Sequence, residues 1–318
     1  MKPILWCDGE NTIAVLPERG RVLQVAVRGH AAFWQPQAVE GWNVGGDRLW
    51  VAPETAWFWK TLQSIDLTQY EIPRALDPGQ WKLVRHETDF CEMTQHVALP
   101  HHHKNRTYDF DLTRRFSLVV LKKPPFSDCV TYHSENELDL SAAADGAQSI
   151  GTWSLLQVPV GGLMSVGVRP DAKWRDYFTP ITRPLWSQEG GALHLQISGD
   201  AQYKIGLPPN ALTGRAAYAR EVGDKTVVIL RQWEPQPWLH FCDAPMNDLQ
   251  SAGDALQVYS DNGGTGSFGE LELHAPALRF DAASTRNVMS YLTVVGITMH
   301  DEWLAWRDEW LSGRCVIA

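Results

Sequence analysis

Residues 256–276 read LQVYSDNGGTGSFGELELHAP: an apolar run, a glycine-rich loop, and a second run in which Glu270, Leu271, Glu272 and Leu273 alternate acid with leucine. Successive side chains of a β-strand point to opposite faces, so both glutamates share one face and both leucines the other. One face is packed and the other carries acid. Glutamate is disfavoured in strands, which leaves two readings of the pair: a solvated outer face, the ordinary fate of charged strand residues, or a polar cleft.

Outward from this stretch, alternating apolar residues bounded by Gly, Pro, Asn and Asp recur along most of the chain, and helical spacing is rare. Residues 12–16 (TIAVL), the turn PERG and residues 21–27 (RVLQVAV) predict a β-hairpin. Further strands are predicted at 86–98, 112–121, 152–159, 192–197, 226–233, 256–259, 269–274 and 290–297, with Pro- and Gly-rich loops at 158–167 and 206–214. The segment 301–312 departs from this pattern. Trp303, Trp306 and Trp310 fall at helical spacing with Leu304 and Leu311 beside them, which predicts a short C-terminal amphipathic helix capped by Asp301 and stopped by Gly313. Its aromatic stripe either packs on the chain's own core or serves as a dimer contact. The expected fold class is all-β, as one domain over residues 1–318.

A chain of 318 residues with 44% hydrophobic content can bury a large core. The formal charge of −9, with no basic run longer than Arg114-Arg115 or Lys122-Lys123, argues against nucleic acid and anionic membrane surfaces as partners. A small neutral or cationic ligand fits better. The N-terminal apolar patch is interrupted by Asp8 and Glu10, and no later stretch has the length of a membrane span, so a soluble, cytoplasmic protein is expected. Cys7, Cys91, Cys129, Cys242 and Cys315 are scattered, without C-x-x-C spacing, and read as free thiols. Fifteen tryptophans, clustered at Trp57-Phe58-Trp59, at Trp233 with Trp238 and at Trp303-Trp306-Trp310, fill cores or offer flat faces on which a sugar ring stacks.

Several polar residues are candidates for chemistry. In GGDRLWVAPE a glycine turn enters a short strand bearing Asp47, Arg48 and Glu54, and Arg48 and Glu54 are placed to meet a ligand hydroxyl or each other. Lys204 lies between apolar neighbours in a strand, where it must reach solvent or find a partner. Arg114 and Arg115 are adjacent on a strand, so just one of them can face a site. His274 shares the parity of Glu272; His96, His194, His240 and the run His101-His102-His103 are further acid candidates. Adjacent histidines on an extended chain diverge and cannot all hold one ion, so no metal and no cofactor is expected.

Taken in order, TIAVLPERGRVLQVAVRG leading to Phe33-Trp34, then GGDRLWVAPE, then LQVYSDN with its glycine loop and Glu-Leu-Glu strand resemble the galactose mutarotase-like superfamily of aldose 1-epimerases and their relatives. The resemblance runs along nearly the whole chain and is closest to a branch with the pattern G-G-x-R-x-W-x-x-P-E. It implies a β-supersandwich and a sugar or oligosaccharide ligand. It also implies that Glu272 is the base acting on the anomeric hydroxyl, with Arg48, Glu54, Lys204, Trp153, Glu270 and His274 around the substrate. The family's ring-oxygen acid is a histidine on a central strand, and here Gly151-Thr152-Trp153-Ser154-Leu155-Leu156 places Trp153 at that point. Three functions follow as expectations: an epimerase with another acid, a carbohydrate-binding protein without chemistry, or a glycoside hydrolase or lyase pairing Glu272 with Glu54.

Overall fold

The computed structural model describes residues 2–37, 42–140, 148–279, 285–314 and 317; Cys315 lies outside them. Two antiparallel sheets form a sandwich. The first runs in spatial order Ile4–Asp8, Asn11–Leu16, Arg21–Val27, Asp47–Ala52, Ser149–Pro159, Phe268–His274, Leu256–Ser260, Tyr203–Leu207 and Arg175–Asp176. The second runs Trp186–Glu189, Ala192–Ile197, Gly162–Val168, Leu212–Val222, Lys225–Trp233, Arg286–Met299, Asp128–Asp139, Thr107–Leu118, Phe90–Pro100 and Lys82–His86. The predicted hairpin is Asn11–Leu16 and Arg21–Val27, joined by the 3-10 turn Pro17–Arg19. Gly20 closes that turn at φ 57°, a conformation that favours glycine, and any Cβ there would meet the ring of Trp81.

The two loops predicted at 158–167 and 206–214 are largely strand. Gly161 makes a tight turn at φ 87° and the chain re-enters the second sheet as Gly162–Val168, while Pro209–Ala211 is a short 3-10 turn leading into Leu212–Val222. Proline and glycine there mark tight turns between long strands rather than open loops. Asp128–Asp139 has no counterpart among the predicted strands because the inward Ser134 and Asn136 break its alternation; Glu135 and Glu137 pair on the outer face with Arg115 of the neighbouring strand.

Between the sheets the apolar inner faces meet, with Val22, Val51, Leu156, Leu271 and Leu273 of the first sheet in the same core as Leu112, Phe116, Tyr132 and Tyr291 of the second. An ionic cluster sits inside this layer. Asp47, fully buried, accepts from Arg231 at 2.5 Å, Ser154 Oγ at 3.0 Å, Tyr291 at 3.1 Å and Arg114 at 3.3 Å. Arg114 also donates to Asn136 Oδ1 and to the carbonyls of Gly20 and Asp47. Neither Arg114 nor Arg115 therefore faces a ligand: one ties the two sheets together and the other lies in the outer-face ion pairs.

The C-terminal helix is His300–Leu311. Its N-cap is Met299, and Asp301 lies inside the first turn, where with Glu302 it complements the positive end of the helix instead of capping it. Gly313, at φ 83°, ends the element. Trp303, Trp310 and Leu311 are buried against Phe126, Ala217, Val228, Leu230 and Val294, so the aromatic stripe covers the outer face of the second sheet rather than awaiting a second copy. Among the described residues no helix is long and apolar enough to cross a membrane.

Candidate functional site

The strand Phe268–His274 lies near the middle of the first sheet, between Ser149–Pro159 and Leu256–Ser260, and every one of its residues is buried. The acidic face is thus not a solvated one. Leu271 and Leu273 enter the core between the sheets; Glu270 and Glu272, 5% and 1% exposed, project from the opposite face into a cleft. Pairing register assembles the floor. Arg48 lies beside Leu155 and Leu155 beside Glu272, while Trp50 lies beside Trp153, so the side chains of three adjacent strands form two rows across the sheet. Lys204 enters from Tyr203–Leu207, beside Tyr259 of the intervening strand.

Glu54 comes from outside the sheet, as the first residue of the short helix Glu54–Trp57. Asp243, from a distant loop, fixes that helix start by accepting the Glu54 backbone N–H at 2.6 Å, and Gln257 Nε2 donates to the other Asp243 oxygen at 2.6 Å. Apolar walls complete the cleft: Trp42, Trp50, Trp59, Tyr70, Phe178, Tyr259 and Phe268 enclose it, with an empty volume near 590 Å³ that includes its mouth. One wall is braced by the glycine loop, whose backbone N–H groups at Gly263, Thr265, Gly266 and Ser267 converge on the Asp261 carboxylate.

Charge pairing inside the cleft is specific. Arg48 donates to Glu270 Oε1 at 2.7 Å, and its guanidinium lies over the ring of Trp50 at 4.0 Å and that of Trp42 at 4.9 Å. Lys204, 3% exposed, does not snorkel; its Nζ stands 3.1 Å from Glu54 Oε2, 3.3 Å from Glu272 Oε2 and 4.6 Å from the centre of the Trp153 ring. Trp153 Nε1 donates to Glu272 Oε2 at 2.9 Å. Arg48 and Glu54 do not meet; each has a separate partner.

Two cations therefore face three carboxyl groups, all on buried residues. Burial, opposed by Lys204 and reinforced by Glu270 and Glu54, pushes Glu272 up to about 8. Burial likewise raises Glu54, against Lys204 and with Asp243, and raises Glu270 against Arg48. The same ion pairs hold Lys204 protonated, above its ordinary range, once its own desolvation is outweighed. Tyr70 is held neutral by burial and by the adjacent Glu54. The group as a whole retains a proton at neutral pH, and the carboxyls titrate as a coupled set.

Arg48, Glu54, Trp153, Lys204, Glu270 and Glu272 are thus brought together on one cleft. His274 is not. It stacks flat on Trp153, ring centres 5.4 Å apart, and lines a different cavity with Phe241, Leu273 and Met289. Parity was right for its backbone, but the Trp153 indole stands between the imidazole and the cleft. Burial and the Lys204 charge hold His274 neutral, and neither ring nitrogen has a protein partner. Among the described residues no histidine lines the cleft. The run 101–103 instead braces the Glu54 helix, with His102 N–H donating to Ala56 O and His103 Nε2 bonded to Thr55 O. Tyr70, Phe178 and Asp243 are site residues that sequence reading missed, since each comes from a loop with no pattern of its own.

A comparison with curated proteins finds no match. Among solved structures, a candidate aldose 1-epimerase from Escherichia coli K12 is similar over 94% of this chain and 99% of its own, at 10% identity and a TM-score of 0.56. A galactose mutarotase-like protein from Lactobacillus casei is similar over 93% and 100%, at 10% identity and 0.54. A protein from Synechocystis sp. PCC 6803 is similar over 94% and 96%, at 10% identity and 0.51. At such identities the likeness establishes the fold alone. A model of a family of unknown function, DUF6786, matches residues 35–293. The chain therefore belongs to the DUF6786 family and has the galactose mutarotase-like sandwich fold.

Proposed function

We propose that residues 1–318 form one domain that binds a neutral sugar in this cleft and interconverts its anomers by acid–base ring opening, with Glu272 as the base on the anomeric hydroxyl. The observation that carries the reading is the setting of Glu272: 1% exposed, held by Lys204 and the Trp153 N–H, at the floor of an aromatic-walled cleft. A carboxyl raised toward neutrality by burial is a stronger base than a solvated one, and two oriented donors keep its free oxygen aimed at the ligand. Indole faces suit the C–H side of a pyranose, and Arg48 and Lys204 suit its hydroxyls. Arg48 and Lys204 are faced by Glu54, Glu270, Glu272 and, behind Glu54, Asp243, an acidic surround that favours an uncharged ligand over an anionic one.

A second reading, sugar binding without chemistry, is favoured by Trp153 at the place of the family histidine, because an indole N–H does not titrate. NMR exchange spectroscopy or polarimetry on a panel of aldoses, reducing oligosaccharides included, separates the two. Anomer exchange above the buffer rate that Glu272→Gln abolishes, with affinity kept within a few fold, supports the enzyme; binding with no acceleration of any aldose leaves the binding protein.

A further inference from the structure

We propose that Glu54 is the proton donor to the ring oxygen, the role that no histidine fills in this cleft. The assignment rests on the reading of the cleft as an anomer-interconverting site. Its ground is that Glu54 and Glu272 are held to the same ammonium, at 3.1 and 3.3 Å from Lys204 Nζ, and both line the same cleft. Their carboxyl oxygens therefore flank one small volume, and the two atoms that exchange protons in ring opening, the anomeric oxygen and the ring oxygen, are bonded to one carbon. A single bound sugar reaches both groups.

The other donors fit less well. Against its own burial Lys204 is held as an ammonium by Glu272 and Glu54, and burial beside Glu54 makes Tyr70 a weaker acid than a free phenol. Trp153 does not titrate and already spends its N–H on Glu272. Glu270 is engaged by Arg48. Glu54 is anchored as a donor should be, its helix start pinned by Asp243 from a separate loop. Burial raises both Glu54 and Glu272, so the pair shares a retained proton, and Asp243 behind Glu54 helps that carboxyl to take it.

The step balances. The Glu272 carboxylate takes the proton of the anomeric hydroxyl, the C–O bond to that oxygen becomes a carbonyl, and the bond from the anomeric carbon to the ring oxygen breaks with its electron pair on the ring oxygen. The ring oxygen takes the Glu54 proton. After rotation of the freed aldehyde, the ring oxygen attacks the other face, returns its proton to Glu54, and the carbonyl oxygen recovers its proton from Glu272. The pair ends as it began.

The reacting form is the one in which the proton shared by the pair sits on Glu54 and Glu272 is ionised. Glu54 is faced by Lys204, Asp243, Tyr70, Glu270 and Glu272, so its loss of a proton belongs to this set and not to one residue. The test compares anomer exchange across pH 5–10 in wild type, Glu54→Gln and Glu54→Ala. Glu54→Gln is expected to lose about 10²–10⁴ in rate, the range for removal of a general acid, with sugar affinity by tryptophan fluorescence within a few fold. Its alkaline fall-off should vanish, because the variant has no Glu54 proton to lose. Glu54→Ala should regain rate on addition of acetic acid or formic acid, an effect that loss of a merely structural residue does not produce. Glu54→Gln within tenfold of an active wild type overturns the assignment and leaves the proposed function standing. Wild type that accelerates no anomer exchange overturns both, as does release of nitrophenol from nitrophenyl glycosides dependent on Glu54 and Glu272, which reassigns the pair to hydrolysis.

Discussion

Glu272→Gln is expected to make the protein more stable in alkali while disabling it. The amide has the shape of the protonated acid, so the two chains differ chiefly in what happens when the acid ionises. Glu272 is raised from its ordinary 4.5 to about 8 by burial. Between those values the folded wild type holds a proton that the unfolded chain has released, so its stability falls as pH rises through the window and levels off above about 8. At about 1.4 kcal/mol per pH unit the whole window amounts to at most about 5 kcal/mol. Coupling to Glu54 makes this a ceiling, because the retained proton is shared. The glutamine variant lacks the slope. Urea unfolding followed by tryptophan fluorescence at pH 5, 7 and 9 should show the two chains close together at pH 5 and the variant ahead by roughly 2–5 kcal/mol at pH 9. A difference that stays constant across the three pH values refutes the idea that Glu272 is a strained, desolvated acid.

Asp47→Asn should cost about 3–5 kcal/mol in chemical denaturation, since it leaves Arg114 and Arg231 buried without their carboxylate; a loss under about 1 kcal/mol counts against the cluster as the tie between sheets. Arg48→Met removes the partner of Glu270 and the cation between Trp42 and Trp50, and isothermal titration should show sugar affinity down by at least about tenfold while the protein remains folded. Trp310→Ala empties a fully buried site beneath the C-terminal helix and should lower stability by about 3–5 kcal/mol without altering anomer exchange; a loss of exchange at retained fold would show the helix to be coupled to the cleft.

The sandwich was legible because most of its strands obey period two. Thr12 to Val27 and Ala192 to Ile197 could be read directly, Thr226 to Trp233 from its unbroken apolar run, and the helix from its tryptophan spacing. Asp128–Asp139 was not, because Ser134 and Asn136 put polar groups at inward positions where the pattern asks for apolar residues. Glu270 and Glu272 were found by their alternation, but whether that face met water or a cleft depended on Trp42, Tyr70, Phe178 and Asp243, brought over it by loops whose course no local pattern encodes. His274 shows the limit of parity: it fixes which side of the sheet a residue leaves from, not what neighbour stands in front of it.

Asp47 and Arg48 are consecutive on one strand, and one anchors the second sheet while the other serves the cleft. That adjacency has a genetic consequence. Inserting or deleting a single codon within 47–52 would turn the strand over, driving a third arginine in beside Arg114 and Arg231 and swinging the aspartate toward Glu270. Both the fold's tie and the cleft's cation would be lost in one event, whereas added or lost residues in the loops that wall the cleft leave the floor intact. Descendants of this chain are therefore expected to vary in length around the mouth of the cleft and never across its floor, so that the shape of the mouth drifts by loop change while the charged residues keep their places.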